Sequence, residues 1–262
     1  MVCEIELVLL RLKMSPSSSV SKTSDPGESN RVIQGLWIGS ELSVMERLSI
    51  NSFLRNGHEY HLYTYNDLPN VPDGIVIRDA NEILPASKIF QYSDRPSYAG
   101  FANHFRYQLL FEQGGWWADA DVVCLRPFDF AEDYVFATEA FPGQPIRVNN
   151  NVIKSPAGSE MMANATRVCQ AKKPDQLVWG ETGPKLLPEL VREYRLDKYQ
   201  KPYYIFCPIS EWHKLLEPYV AAVHEDAYAI HLWNSLWQLE NQDKNASYHS
   251  GCIYERLKTK YL

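Results

Sequence analysis

The sequence predicts a single α/β domain, Rossmann-like, with a central mostly parallel mixed sheet flanked by helices. Three observations lead to this fold class: 45% of the 262 residues are hydrophobic, strand and helix patterns alternate at the start of the folded region, and no segment repeats. A chain of this size buries enough apolar surface for a packed core. A β-α-β order favours a parallel sheet, which holds ligands at the carboxyl ends of its strands.

Residues 1–30 are expected to form a flexible arm ahead of a folded domain at 31–262, because positions 15–30 are rich in Ser, Pro and Gly. The segment Ile5–Leu10, apolar except for Glu6, is too short to span a membrane, and it lacks the basic leader of a signal peptide. We therefore expect a cytoplasmic protein without a transmembrane segment. Peripheral association with the inner membrane face stays open.

The first elements follow from apolar spacing. "RVIQGLWIG" (31–39) is an apolar run that ends in glycine, as in a buried strand. "MERLSINSFLRNG" (45–57) has apolar residues at helical spacing before an Asn-Gly stop. "HEYHLYTYND" (58–67) alternates and is aromatic, which predicts a second strand.

A packed helix is predicted between Pro96 and Gly114, followed at once by a strand, "WWADADVVCL" (116–125). One helix face is apolar and another is polar at spacings i, i+3 and i+4, so that its polar groups converge above the sheet. These residues are Phe101, Phe105 and Leu109 on the first face, and Asn103, Arg106 and Tyr107 on the second.

The C-terminal half is less regular. We predict a helix around Met161–Gln170 and a strand in "KPYYIFCPI" (201–209), whereas residues 240–262 give no clear pattern. The triplet Asn149–Asn151 has the composition of a turn.

Charge and cysteine usage exclude some function classes. The net charge is −6 and no basic run exceeds two residues, so a nucleic acid partner is not expected. The cysteines are five, widely spaced and without a C-x-x-C pair, which predicts reduced, mostly buried thiols and no zinc or dithiol site. They are Cys3, Cys124, Cys169, Cys207 and Cys252.

Asp119 and Asp121 stand one residue apart at the end of the predicted strand. In a strand both would point to the same face and reach one cation or one polar ligand. Hard cations such as Mg²⁺ and Mn²⁺ take oxygen ligands and leave positions open for phosphates. A D-x-D pair alone is typical of a solvated strand end, but the preceding Arg106 helix and the pair Gly114-Gly115 favour a functional site.

Three blocks resemble a known group: "IQGLWIG" (33–39), "FANHFRYQLLFEQGGWWADADV" (101–122) and "IHLWNSLW" (230–237). They resemble the retaining glycosyltransferases with a DXD sugar-binding motif, notably glycosyltransferase family 32 and the related sugar-transferring bacterial toxins. The resemblance implies a GT-A fold, a Mn²⁺ or Mg²⁺ cofactor and a nucleotide-sugar donor, with a UDP-sugar favoured. It also implies a hexosyltransferase acting on a carbohydrate or lipid-linked acceptor, as in polysaccharide biosynthesis.

The resemblance assigns roles residue by residue. The implied metal ligands are Asp119, Asp121 and His231, and the implied catalytic residues are Asp119, Asp121 and Arg106. The implied nucleotide-sugar contacts are Trp37, Asn103, Arg106, Asp119, Trp233 and Asn234. The implied acceptor-side residues are Glu181 and Thr182, within "GETGP" (180–184), with the Asn149–Asn151 triplet beside them. Asn103 stands where the family has an aspartate, which leaves the donor sugar, and activity itself, open.

Other interpretations remain open at this point. Trp37, Trp233 and His231 could each be a core residue with no role in ligand binding. Arg106 could be part of a buried structural ion pair. A non-catalytic sugar-binding module fits Asn103 and the 13% aromatic content. A haloacid-dehalogenase-type phosphohydrolase, with Asp119 as nucleophile, also fits "DADVV", although that motif normally opens its domain.

Overall fold

The computed structural model describes residues 30–219 and 223–262. The predicted N-terminal arm lies outside these ranges except for Asn30, and so do Cys3 and the run Ile5–Leu10. Within the described ranges, no helix combines the length and apolar character needed to cross a membrane.

A six-stranded mixed sheet forms the centre of the structure. In spatial order its strands are β3 (Val76–Asp79), β2 (Glu59–Thr64), β1 (Val32–Trp37), β4 (Gly115–Ala118), β7 (Arg147–Ser155) and β6 (Val135–Glu139). The first four are mutually parallel, and β7 runs antiparallel to both of its neighbours, so five of the six point the same way. The predicted mostly parallel mixed sheet is confirmed.

A separate two-stranded ladder pairs β5 (Val122–Cys124) with β8 (Ala229–His231) in antiparallel register. The α-helices formed by the described residues are α1 (Val44–Arg55), α2 (Ala99–Glu112), α3 (Glu160–Ala171), α4 (Leu186–Glu193), α5 (Tyr203–Phe206), α6 (Asn234–Leu239) and α7 (Ile253–Tyr261).

Helices cover both faces of the large sheet, because successive strand residues point to opposite sides. Trp117 packs with α2, α3 and α4 on one face, whereas the preceding residue, Trp116, packs with α1 and α5 on the other. Both indoles are almost fully buried. The Rossmann-like arrangement expected from the sequence, a central mostly parallel sheet flanked by helices, is therefore present.

Local signals explain where the early elements begin and end. The side chain of Ser43 caps α1, and Glu46 binds the Ser43 backbone N–H in a capping box. The helix ends before Gly57, whose φ of 85° suits glycine. Between α2 and β4, Gly114 has a φ of 66°, and a Cβ there would lie 2.3 Å from the Ala157 nitrogen. Only glycine permits this close turn.

Two element predictions in the C-terminal half were wrong. The segment 201–209 contains the short helix α5 rather than a strand, because Pro202 starts a helical turn and Phe206 buries its ring in the core. Asn149–Asn151 lies inside β7, where pairing with β4 and β6 overrides its turn-like composition. The helix predicted around Met161–Gln170 is confirmed as α3. The four described cysteines are free and buried, as expected.

Candidate active site

A cavity of about 600 Å³ opens at the carboxyl edge of β1 and β4. The chain leaves β1 for β2 and β3 on one side, and β4 lies on the other side of β1. This reversal of strand order is the switch point at which parallel α/β sheets bind ligands. Volumes of this size hold cofactor-sized molecules.

Asp119 and Asp121 lie in a turn between β4 and β5, not side by side along one strand as predicted. The Val122 N–H donates to the Asp119 carbonyl at 3.0 Å, and the Asp119 N–H donates to the Asn151 carbonyl at 2.8 Å. The chain thus passes from the large sheet to the small ladder within this turn. Ligand atoms of both carboxylates and of His231 still come within 4.8 Å of one another.

β8 brings His231 to this turn, since His231 pairs with Val122 in the small ladder. His231 Nε2 lies 3.4 Å from Asp121 Oδ2, and the Asn234 N–H donates to the same oxygen at 2.8 Å. Burial alone would raise the pKa of Asp121, but the charge of His231, together with these contacts and Lys244, lowers it. Burial would lower the pKa of His231, and Asp121 instead raises it well above the ordinary value.

Trp233 makes the sharp corner between β8 and α6. Its φ of 61° and ψ of 44° lie in the left-handed region, which is uncommon for a bulky residue. This corner aims the Asn234 N–H at Asp121. The Trp233 ring packs 4.1 Å from His231 and 5.3 Å from Phe141, and its buried Nε1 has no hydrogen-bond partner among the described residues. Backbone strain of this kind is often found at functional sites.

Arg106 links α2 to the aspartate turn. Its guanidinium is 3% exposed, forms an ion pair with Asp119 Oδ1, and lies 4.8 Å above the Trp117 ring. The Trp117 Nε1–H donates to the same Asp119 oxygen at 2.7 Å. Burial raises the pKa of Asp119, as does Asp121, whereas Arg106 opposes that rise.

Asn103 connects Arg106 to β7. Its Oδ1 accepts hydrogen bonds from Arg106 Nη1 at 2.9 Å and from Asn150 Nδ2 at 2.6 Å, and its Nδ2 donates to Thr182 Oγ1 at 3.3 Å. A Cβ on Gly183 would lie 2.8 Å from the Asn103 amide nitrogen. Glycine is therefore needed for the loop to approach this amide pair.

The acidic group has the chemistry of a divalent cation site. The two carboxylates suit a hard cation such as Mg²⁺ or Mn²⁺, and His231 would add a third ligand atom once its ring loses a proton. The buried Asp121 Oδ1 has no hydrogen-bond partner among the described residues, which leaves an acceptor for a cation. The cavity walls carry four carboxylates against three Lys and Arg side chains, and the protonated His231 supplies the fourth positive charge, which a bound cation would replace.

Trp37 lies at the end of β1 and lines the cavity. The Trp37 Nε1–H donates to the Glu41 carbonyl at 2.9 Å, which fixes the ring orientation, and Gly39 allows this close fold. Lys244 Nζ lies 5.2 Å from the centre of this ring. Lys244 also donates to Glu46 Oε1 at 2.6 Å.

Glu181 and Thr182 do not line the cavity, in contrast to the acceptor-side expectation. Glu181 pairs with Lys172 at 2.5 Å on the outer side of the loop. Thr182 is buried behind Asn103, so it contacts a wall residue rather than the cavity. Their neighbours Trp179, Gly180 and Pro184 line the cavity instead.

Sequence reasoning missed several charged wall residues. Glu139 is 2% exposed, pairs with Arg147 at 2.5 Å, and accepts a hydrogen bond from Asn149. The asparagine triplet is the sequence signal for this corner, but its composition predicts a turn rather than a strand. Glu46 lies on a helix that was predicted only from its apolar spacing, and Lys244 carries no signal because the tail around it has no periodicity.

The structure gathers eight predicted residues around the cavity: Trp37, Asn103, Arg106, Asp119, Asp121, His231, Trp233 and Asn234.

Comparison with known proteins gives a family match for part of the chain. Residues 42–142 match the model described as "Glycosyltransferase sugar-binding region containing DXD motif". The resemblance recognised in the sequence is confirmed for this segment, which includes Asn103, Arg106 and both aspartates. The match spans less than half of the chain and leaves out Trp37 and His231. No curated protein matches the chain.

Solved glycosyltransferase structures are similar at low identity. "PaToxG Glycosyltransferase" is 16% identical with a TM-score of 0.48, covering 64% of this chain and 72% of its own. The glycosyltransferase GlyE of Streptococcus pneumoniae TIGR4 is 12% identical with a TM-score of 0.46, covering 88% of this chain and 63% of its own. Likeness at this level carries no argument about substrate or mechanism.

Proposed function

We propose that this chain is a metal-dependent, retaining hexosyltransferase that moves a sugar from a UDP-sugar to a hydroxyl of a carbohydrate or lipid-linked acceptor. The observation that carries the proposal is the convergence of Asp119, Asp121 and His231 at a switch-point cavity. The two aspartates and Arg106 lie within the segment that matches the glycosyltransferase sugar-binding region.

Asp119, Asp121 and His231 would hold the cation. When bound, the ion supplies positive charge that stabilises the leaving nucleoside diphosphate. Asp121 is oriented for this role by the Asn234 N–H, and Asp119 by Arg106 and Trp117. The ligands are thus fixed before any nucleotide arrives, which reduces the cost of binding.

Trp37 and the Asn103–Arg106 pair would bind the two ends of the donor. The half-buried Trp37 ring offers a face for the uracil base at the β1 end of the cavity. Arg106, Asn103 and Asn150 form a hydrogen-bonded polar wall next to Asp119, suited to sugar hydroxyls. The unpartnered Nε1–H of Trp233 is a donor for a phosphate oxygen.

A retaining mechanism is supported by the state of the wall carboxylates. Glu46, Asp119 and Glu139 each bind a cationic side chain, and Asp121 belongs to the cation site. Among the described lining residues, no carboxylate is left free to act as a nucleophile or a base. In a retaining reaction the leaving phosphate can itself remove the proton of the acceptor hydroxyl, on the face of the sugar from which the phosphate departs. Such a step needs neither a protein nucleophile nor a protein base.

The alternative functions are less well supported. A phosphohydrolase would use Asp119 as its nucleophile, but Asp119 Oδ1 already accepts from Arg106 and Trp117. A non-catalytic sugar-binding module would not need a cation site beside a nucleotide-sized cavity.

Release of nucleoside diphosphate from a panel of UDP- and GDP-sugars tests the proposal. The assay uses Mn²⁺ or chelator, with the wild type and Asp121→Asn, a change that removes charge but keeps an acceptor for Asn234. We expect Mn²⁺-dependent release from one UDP-sugar, lost in the variant. Binding of that donor without turnover would favour the sugar-binding module. Neither binding nor turnover of any donor would contradict the proposal.

A further inference from the structure

We propose that Lys244, in the C-terminal segment 240–262, is a phosphate-binding residue that completes the nucleotide site. This inference rests on the proposed function. It assigns a ligand contact to a part of the chain that carries no recognisable pattern and lies outside the segment matched by the family model.

Lys244 lies between the two ends of the proposed nucleotide site. Its Nζ is 5.2 Å from the centre of the Trp37 ring and donates to Asn234 Oδ1 at 3.1 Å. The backbone N–H of the same Asn234 reaches Asp121 Oδ2 at 2.8 Å. In a nucleoside diphosphate, the phosphates connect the nucleoside to the metal-bound end. A nucleoside diphosphate with its base on Trp37 and its metal at Asp121 would therefore carry phosphate oxygens past Lys244.

The ammonium group is held in place by a fixed partner. Glu46 is 1% exposed, and its Oε1 accepts from Lys244 at 2.6 Å. Glu46 Oε2 accepts from the Ser43 N–H at 2.7 Å within the α1 capping box, so its carboxylate has little freedom. An ammonium has three donors, and Glu46 and Asn234 take two of them. One donor remains for a ligand.

The C-terminal helix α7 anchors the segment that carries Lys244. The Tyr254 hydroxyl donates to the Lys244 carbonyl at 2.6 Å, and Lys258 Nζ donates to the Ala246 carbonyl at 3.0 Å. The two contacts fix the backbone at Lys244 itself and two residues beyond it. The position of Lys244 over the cavity is thus built into the fold.

A purely structural ion pair is the competing explanation, because a buried Glu46 needs a counter-charge. That explanation accounts for the Glu46 contact. It does not account for the second contact to Asn234, the position over Trp37, or the place of Lys244 in the cavity wall. The two explanations differ in which ligands should lose affinity when Lys244 is removed.

Calorimetric titration of UDP, UMP and uridine in the presence of Mn²⁺ separates them. In Lys244→Met, the Kd for UDP should rise about ten- to a hundredfold, as expected for a lost charge-assisted hydrogen bond, while uridine affinity stays unchanged. Lys244→Arg should recover part of the affinity. Lys201→Met is the matched control, since Lys201 also pairs with a glutamate, Glu132, at 2.5 Å but does not line the cavity, and this variant should bind all three ligands as the wild type does.

Three results would overturn the proposal. The first is a UDP affinity in Lys244→Met equal to that of the wild type. The second is an equal loss of affinity for uridine in this variant, which a general loosening of the site would cause. The double variant Glu46→Gln/Lys244→Met removes the unpaired carboxylate and gives the same readout if the single variant fails to fold. The third is a wild type that binds no UDP, which overturns both this inference and the proposed function. If the wild type binds UDP and Lys244→Met binds it equally well, only the inference is overturned.

Discussion

Replacing Arg106 by methionine should destabilise the protein by about 3 kcal/mol, because it leaves the Asp119 carboxylate without its counter-charge beside Asp121. Removing one partner of a buried ion pair costs about 3–5 kcal/mol. The lower end applies here, since the Asp119 side chain keeps 28% exposure and a hydrogen bond from Trp117 at 2.7 Å. Methionine keeps most of the apolar stem that packs on the Trp117 ring.

A double-mutant cycle isolates the charge effect from the packing effect. Asp119→Asn and the double variant Arg106→Met/Asp119→Asn complete the cycle, measured by urea unfolding in chelator at neutral pH. We expect the double variant to recover about 2 kcal/mol relative to additivity. The exposed pair Arg78–Glu82, with side chains 40% and 53% exposed, is the control and should couple by less than about 0.5 kcal/mol. A coupling energy between Arg106 and Asp119 no larger than in this control would show that the buried charge pair does not set the cost.

Three further predictions concern the donor site, pH dependence and the chain path. Asn103→Asp keeps the acceptor for Arg106, loses the donor to Thr182 and adds a buried negative charge that Arg106 offsets. It should change stability by less than about 1 kcal/mol yet alter donor preference in the UDP-sugar panel, and an unchanged preference would contradict its role. Burial lowers the pKa of His104 to about 4. As the pH falls, the unfolded chain therefore takes up a proton at this residue before the folded protein does, and the free energy of unfolding decreases from about pH 6.5 toward pH 4. His104→Gln should therefore lose about 1 kcal/mol less stability than the wild type between pH 7 and pH 5 in urea titrations, and equal losses would contradict this. Gly114→Ala places a Cβ 2.3 Å from a backbone nitrogen and should lower stability by about 2 kcal/mol or more. In the control Gly143→Ala the new Cβ has nothing within 4 Å, and stability should fall by only about 1 kcal/mol. Equal drops in Tm for the two variants would show that the close contact at Gly114 has no effect.

Local signals in the sequence were sufficient for the scaffold of the site. The Ser43–Glu46 capping box, the Asn56-Gly57 stop and the apolar face of α2 act within a few residues of one another. Such signals predict where an element begins, where it ends and which face it buries. They also put Asn103 and Arg106 on one helix face, where the structure finds them bonded to each other.

Contacts between distant segments decided the rest. The aspartate turn depends on the Asn151 carbonyl and on β8, which lies more than a hundred residues later in the chain. Lys244 reaches the cavity only because α7 holds its segment against α1. Glu181 turns outward because Lys172 attracts it. None of these positions follows from periodicity or composition, since each is set by tertiary partners.

The most direct test of the central claim is calorimetric titration of UDP into the wild type and Asp121→Asn, each with Mn²⁺ and with chelator. We expect UDP to bind tightly only to the wild type in Mn²⁺, because the proposed ligands Asp119, Asp121 and His231 would hold the ion that neutralises the diphosphate. UDP binding of equal strength in chelator, or undiminished binding in Asp121→Asn, would contradict it.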